Sequence, residues 1–206
     1  MTKQSFHKKR ILFFGDSLTQ YGKLPEGYIS LLTEYLKSNN LSDQIELVGA
    51  GVGGDKVYDL YLRLESDVLN QHPNIVVILI GINDIWHKSS GIGTDSIKFK
   101  RFYEAIIDKI QTYNIELFLA TPTLIGELKN LQNTQDFDLE MYAQIIRDLA
   151  TTKNCKLIDL RKIFINYIQQ HNTNNNLLGV LTTDKVHLNN QGNQLVAENF
   201  KSIFSI

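Results

Sequence analysis

The sequence predicts an α/β domain built on a five-stranded parallel sheet. Short apolar runs alternate with stretches of helical period from end to end. Two of the runs are apolar almost without a break, as strands covered on both faces must be. No internal repeat or Pro/Ser-rich linker divides the 206 residues, a length that suits one domain. Residues 1–206 are therefore read as a single domain.

The strand candidates are Ile11–Phe14, Ile45–Val48, Ile75–Ile80, Ile115–Ala120 and Lys156–Ile158, rich in Ile, Val, Leu and Phe. Between them, apolar side chains recur at three- and four-residue spacing: Tyr28, Leu31, Leu32 and Leu36, then Tyr58, Tyr61, Leu62 and Leu69. Phe102, Ile106 and Ile110 make a third stripe, and Met141, Ile145, Ile146 and Leu149 a fourth. Leu188 to Phe204 reads as a final helix, and His171 to Asn176 as a polar surface loop. Strands joined by helices in this order form right-handed crossovers, and ligands of such sheets sit outside the carboxyl ends of the strands.

Composition narrows the function. Lys plus Arg number 21 and Asp plus Glu 22, a net charge of -1, with 43% hydrophobic and 21% charged residues. That is ordinary globular material with no basic excess to hold a nucleic acid. The one cysteine, Cys155, has no partner for an internal disulfide, and no Cys/His cluster predicts a metal site. Met1 to Arg10 is polar and basic, followed only by the short apolar run Ile11–Phe14. A signal peptide needs an apolar stretch of about 7–15 residues and a membrane span about 20. The expectation is a cytoplasmic protein that does not insert into membranes.

Four segments fall at the carboxyl ends of the strand candidates. After the first comes Gly15-Asp16-Ser17-Leu18, which sets a hydroxyl where a strand turns toward a helix; a serine N-cap is its ordinary alternative. After the second comes Gly49-Ala50-Gly51-Val52-Gly53-Gly54-Asp55, four glycines within six residues. This satisfies the dinucleotide fingerprint G-x-G-x-x-G formally, but it follows the second strand, and the position about 20 residues on holds Asn74, not an acid. A phosphate-binding P-loop fails because Asp55 stands where Lys is needed. What remains is a tight turn, or a loop whose backbone N–H groups approach a ligand closely.

After the third strand comes Gly81-Ile82-Asn83-Asp84, where Asn83 offers a side-chain amide or simple turn chemistry. Near the C-terminus, Asp184-Lys185-Val186-His187 sets a carboxylate three residues before an imidazole. Of the five histidines, His7 lies near the start, His72 at a helix end and His171 in the Asn-rich loop; His187 has the acid beside it. A hydroxyl, an acid–imidazole pair and N–H donors at one sheet edge are the set that ester hydrolysis needs.

Together these residues resemble the four sequence blocks of the SGNH hydrolases, the GDSL esterases and lipases, in order from residue 15 to residue 187. The resemblance implies a flavodoxin-like three-layer α/β/α sandwich and a serine esterase that needs neither metal nor cofactor. It implies Ser17 as nucleophile, His187 as base and Asp184 as its orienting acid. The oxyanion hole it implies is the Ser17 N–H, the Gly54 N–H and the Asn83 amide. Where many members carry Asn-x-Gly-x-Ser-Gly, this chain has Gly49 and Gly53 in place of the Asn and Ser. No Gly-x-Ser-x-Gly elbow is present, which argues against the common α/β-hydrolase arrangement.

Asp16, Trp86 and Pro122 are the substrate-binding candidates. Trp86-His87 follows Asn83, and Thr121-Pro122-Thr123 follows the fourth strand, so both segments are expected to rim the site. Trp86 would stack on the alcohol moiety or else cap the core, and His87 is expected as an exposed loop residue. Gly-Ile-Asn-Asp-Ile-Trp is similar to segments of carbohydrate acetylesterases in this superfamily. The substrate class expected is thus a small ester with a short acyl chain, acetyl above all. No apolar run predicts a lid or lipid-docking helix. Lysophospholipase or thioesterase activity, a nucleotide-binding module on Gly49–Gly54, and an inactive scaffold are the alternatives. A homo-oligomer is left open.

Overall fold

The computed structural model describes residues 8–204. Five strands form one wholly parallel sheet: β1 (Lys9–Gly15), β2 (Ile45–Gly51), β3 (Ile75–Leu79), β4 (Glu116–Ala120) and β5 (Lys156–Ile158). Their order across the sheet is β2-β1-β3-β4-β5. Every residue of β3 is buried, and this central strand is the one that reads as Ile-Val-Val-Ile-Leu.

Among the described residues, eight α-helices surround the sheet: α1 (Ser17–Gly22), α2 (Tyr28–Ser38), α3 (Val57–Asp67), α4 (Ile82–Trp86), α5 (Ser96–Gln111), α6 (Asp136–Thr152), α7 (Leu160–His171) and α8 (Asn190–Phe200). Neighbouring side chains of a strand point to opposite faces, and β1 shows what each face meets. Phe13 packs on Tyr28 of α2 and stacks on Phe200 of α8, while the ring of Phe14 lies 4.6 Å from the Arg63 guanidinium of α3. Helices α2 and α8 pack together on one side, and α3, α5 and α6 form a contiguous run on the other. The result is a three-layer α/β/α sandwich with one continuous core.

Several boundaries differ from the sequence expectation. β2 runs on to Gly51, so Gly49, Ala50 and Gly51 are strand residues paired with Phe13, Phe14 and Gly15. A Cβ on Gly51 would stand 2.2 Å from the Gln20 backbone nitrogen, so glycine is what lets α1 lie against this edge strand. That use of the cluster removes the nucleotide-loop reading: the first glycines pack a strand and do not open a helix. The short helices α1 and α4 and the whole of α7 were not resolved as elements by the apolar pattern. The final helix begins at Asn190, and a single 3-10 turn (Lys201–Phe204) follows it. Asn172 lies within the expected polar loop, yet it is buried and donates from Nδ2 to the carbonyls of Glu127 and Asn176, both at 2.7 Å. No helix among the described residues is long and apolar enough to cross a membrane.

Candidate active site

Strand order sets the position of the site. From β1 the chain moves to one neighbour (β2) and then crosses back to the other (β3), so a crevice opens outside the carboxyl ends of β1 and β3. Ser17 follows β1 there, and Asn83 follows β3.

Ser17 is the first residue of α1. Asp16 caps that helix by accepting the Leu18 N–H at 3.0 Å. The Ser17 hydroxyl lies 3.0 Å from Nε2 of His187, and Nδ1 of His187 lies 2.6 Å from Oδ2 of Asp184. With the Nδ1 proton directed to Asp184, Nε2 is left to accept the serine hydroxyl. Asp184 also receives the backbone N–H groups of Val186 (3.1 Å) and His187 (2.8 Å) on Oδ1. Partial burial pushes this carboxyl upward, but the hydrogen bonds from His187 and Val186 outweigh burial and hold it below the ordinary carboxylate range. Aspartate three residues before histidine thus closes a turn on itself and orients the ring through the same carboxylate.

The glycine turn comes up beside the same serine. Gly54 sits at φ +84, a left-handed conformation that only glycine adopts readily, although a Cβ there would meet nothing within 4 Å. Next to it, Gly53 N–H is held by Gln20 Oε1 at 2.7 Å, and the Gly53 Cβ position is 3.8 Å from the Ser17 Cβ. Asn83 is nearly buried, and its amide donates one bond to the Asp55 carbonyl at 3.1 Å, leaving its second N–H for another acceptor. Arg63 ties the strand ends to the glycine turn by bonding Gly15 O (2.7 Å), Ala50 O (3.1 Å) and Asp55 Oδ2 (2.6 Å).

Two carboxyls lie beneath this edge. Burial pushes Asp16 up to about 7, helped by the charges of Asp84 and Asp55 and opposed by the Leu18 bond. Burial likewise raises Asp84 to about 6 against the bonds it accepts, among them the Val57 N–H.

Glu127 carries no local sequence signal that marks it as part of the site. Fully buried, it accepts the N–H groups of Val180 (2.7 Å), Leu181 (2.8 Å) and Thr182 (2.6 Å) and the Thr182 hydroxyl (2.6 Å). Its neighbour Gly126 donates its N–H to the Lys185 carbonyl at 2.9 Å. Lys185 lies between Asp184 and His187 at φ 85, an uncommon conformation for a residue with a side chain. The Gly126–Glu127 segment therefore grips the Asp184–His187 turn on both sides. A buried acid holding three consecutive backbone N–H groups more than fifty residues away leaves no local pattern to read.

Hydrogen bonds join Ser17, His187 and Asp184; Gly53, next to Gly54, flanks Ser17, and Asn83 is tied to the same turn through Asp55. Of the remaining candidates, Asp16 and Pro122 are buried and Trp86 borders His187. Asp16 is buried under α1 and presents no carboxylate to the crevice. Pro122 is also buried, near the Gly81 backbone, and Thr121 and Thr123 are buried with it, so that segment does not form a rim. Trp86 is half-buried, 6.2 Å from the His187 ring in an edge-on arrangement, and His87 stacks on it and is not fully exposed. Tyr21, on the other hand, is exposed, with its ring 5.2 Å from that of His187. His7 lies outside the described residues. Among the described residues no group of three or more His, Cys, Asp or Glu could hold a metal ion.

A family description of GDSL-like lipases and acylhydrolases matches residues 13–195. The chain belongs to this family. This GDSL-like acylhydrolase is 51% identical to a solved acetyl xylan esterase, AlAXEase, with a TM-score of 0.93 over 94% of this chain and 98% of the other. It is 24% identical over 212 residues to an acetylxylan esterase of Geobacillus stearothermophilus, covering 93% of this chain and 92% of that protein. A lipoprotein of Bacillus subtilis, YqeF, is 25% identical over 91% of this chain and 86% of its own length. The α/β hydrolase enzyme LAE5 from the metagenome of Lake Arreo shares the fold, with a TM-score of 0.84 at 23% identity over 98% of both chains. Family membership makes the chain a carboxylic ester hydrolase of the SGNH class.

Proposed function

We propose that this acylhydrolase removes short acyl groups, acetyl foremost, from carbohydrate esters through an acyl-enzyme on Ser17. The observation that carries the mechanism is the continuous Asp184–His187–Ser17 hydrogen-bond chain, 2.6 and 3.0 Å, at the crevice edge of the sheet. The acetyl preference draws its support from the acetylxylan esterases among the relatives.

The roles follow from the atoms. Nε2 of His187 takes the Ser17 proton as Oγ bonds to the ester carbonyl carbon. Negative charge moves to the carbonyl oxygen, which the Ser17 N–H, the Gly54 N–H and the second Asn83 N–H receive. The ester C–O bond then breaks, and the alcohol departs with the proton from the imidazolium. Water repeats the sequence on the acyl-enzyme and restores Ser17. Asp184 holds the imidazole in the tautomer that keeps Nε2 free and steadies the imidazolium when it forms.

Residues 1–206 act as one catalytic domain in this reading, working on a small-molecule ester in the cytoplasm; cell fractionation tests the compartment. A chain-length series tests the substrate class. Rates on acetyl, butyryl, octanoyl and palmitoyl esters of one alcohol should be greatest at acetyl and fall with length. A maximum at eight carbons or longer would overturn the acetyl preference and leave the serine mechanism standing.

A further inference from the structure

In the proposed reaction the leaving alcohol takes its proton from Nε2 of His187, so it must depart along the imidazole side of the site. A groove of about 440 Å³ is lined by His187 and Asp184. One wall is the Thr183–His187 turn with the start of α8. The other is Tyr21–Glu26, the end of α1 and the start of its connection to α2. Its size falls within the range of small-molecule sites.

What the groove presents is an aromatic face with polar groups around it. The Tyr21 ring is 47% exposed and lies tilted at 47° to the His187 ring, beside the reacting atoms. Leu24, 54% exposed, continues the apolar surface. Glu26, farther along the same wall, and Asn190, at the start of α8, are both exposed, and their side chains make no hydrogen bond to any described group. Trp86 meets the His187 ring edge-on and does not line the groove. An aromatic face can cover the C–H face of a sugar ring, whose edge hydroxyls need both acceptors and donors. Glu26 supplies an acceptor, and the Asn190 amide supplies both.

We propose that this groove is the alcohol subsite and that Tyr21, not Trp86, selects a ring-shaped polyol, a pyranose, as the leaving group. The proposal rests on the ester-hydrolase reading above and adds the residue that sets the alcohol preference.

Selectivity between two acetate esters is the test. Methyl acetate has an alcohol too small to reach Tyr21, whereas an acetylated methyl xylopyranoside fills the groove. The measured quantity is the ratio of kcat/KM on the sugar ester to that on methyl acetate, in the full-length protein. Tyr21→Ala should lower this ratio about tenfold, the scale of one aromatic contact, chiefly through KM on the sugar ester. Tyr21→Phe should keep the ratio, since the ring face remains, and Asn190→Ala should lower it by a smaller factor. An unchanged ratio in Tyr21→Ala overturns the proposal, as does a ratio that falls in Trp86→Ala and holds in Tyr21→Ala. Failure of the underlying reading is distinct from either: the unmodified protein would then hydrolyse neither ester.

Discussion

Glu127 offers the sharpest test of how the fold holds the reacting groups. Its two carboxyl oxygens carry four hydrogen bonds, three to one oxygen and one to the other, all from the segment Val180–Thr182 that leads into Asp184. In Glu127→Gln the amide oxygen can keep the three-donor position, but the NH2 group then faces the Val180 N–H, donor against donor. One charge-assisted bond is lost and one amide is stranded, a destabilisation of about 2–3 kcal/mol. Glu127→Ala strands three backbone donors and a hydroxyl. At about 1–3 kcal/mol for each stranded buried donor, and with part of the loop free to find water, the expected loss is of order 4 kcal/mol. That is a large share of the roughly 5–15 kcal/mol that keeps a domain folded.

The catalytic consequence is separable from the stability one. Once Thr182 is no longer held, Asp184 and His187 lose their fixed position over Ser17, and a displacement of about 1 Å costs on the order of 10²-fold in rate. At a temperature where circular dichroism shows the variant folded, Glu127→Gln should lose kcat with KM little changed. Hydrogen exchange should show the Val180, Leu181 and Thr182 amides opening faster than in the unmodified protein, while those of β3 keep their protection. If Glu127→Ala kept its urea midpoint, its kcat and slow exchange at those amides, the clamp would have no role.

Removing the Asn83 amide with Asn83→Ala should lower kcat by about 10²–10³-fold with a small effect on KM, since the lost donor acts on charge that develops only in the transition state. Equal kcat in the two proteins would remove Asn83 from the oxyanion site. Asp16 predicts a pH effect on stability. Its carboxyl is raised from 3.8 to about 7 by burial, so between about pH 4 and 7 the folded chain holds a proton that the unfolded chain has released. Its contribution is fully present below about pH 4 and is lost as pH rises toward 7. Asp16→Asn keeps an oxygen to cap Leu18 and abolishes the titration. The stability of the variant relative to the unmodified protein should therefore grow from pH 4 to pH 8, by of order 4 kcal/mol at most. A difference between the two urea midpoints that stays constant across that range would show that Asp16 ionises normally in the fold.

The parts of this molecule that were legible in the sequence are those with a local signature. β3 is a continuous apolar run, and β4 is one after Glu116, because helices cover both faces. Asp184 and His187 are legible because one turn joins them, and Ser17 and Asn83 because each follows a strand at the crevice edge. What escaped detection depends on contacts between distant segments. α1 and α4, of six and five residues, are too short to show a helical period. Gly49 and Gly51 look like loop residues until the packing of α1 on β2 shows why no side chain fits there. Asp16 reads as a site residue because it precedes Ser17, yet its short side chain turns back to cap the helix. Trp86 reads as a substrate contact because it follows Asn83, whereas Tyr21, four residues after Ser17 on a helix, is the exposed ring that lines the groove. Glu127 meets backbone N–H groups, which any sequence could supply.

The central claim is that Ser17 is a nucleophile activated by His187 and oriented through Asp184. A fluorophosphonate, which reacts with activated serines, followed by intact-mass analysis and peptide mapping, tests it most directly. One adduct per chain is expected, on Ser17, absent in Ser17→Ala and formed far more slowly in His187→Ala, with acetate-ester hydrolysis lost in step. Labelling at another residue, or full acetate-ester hydrolysis by Ser17→Ala, would contradict it.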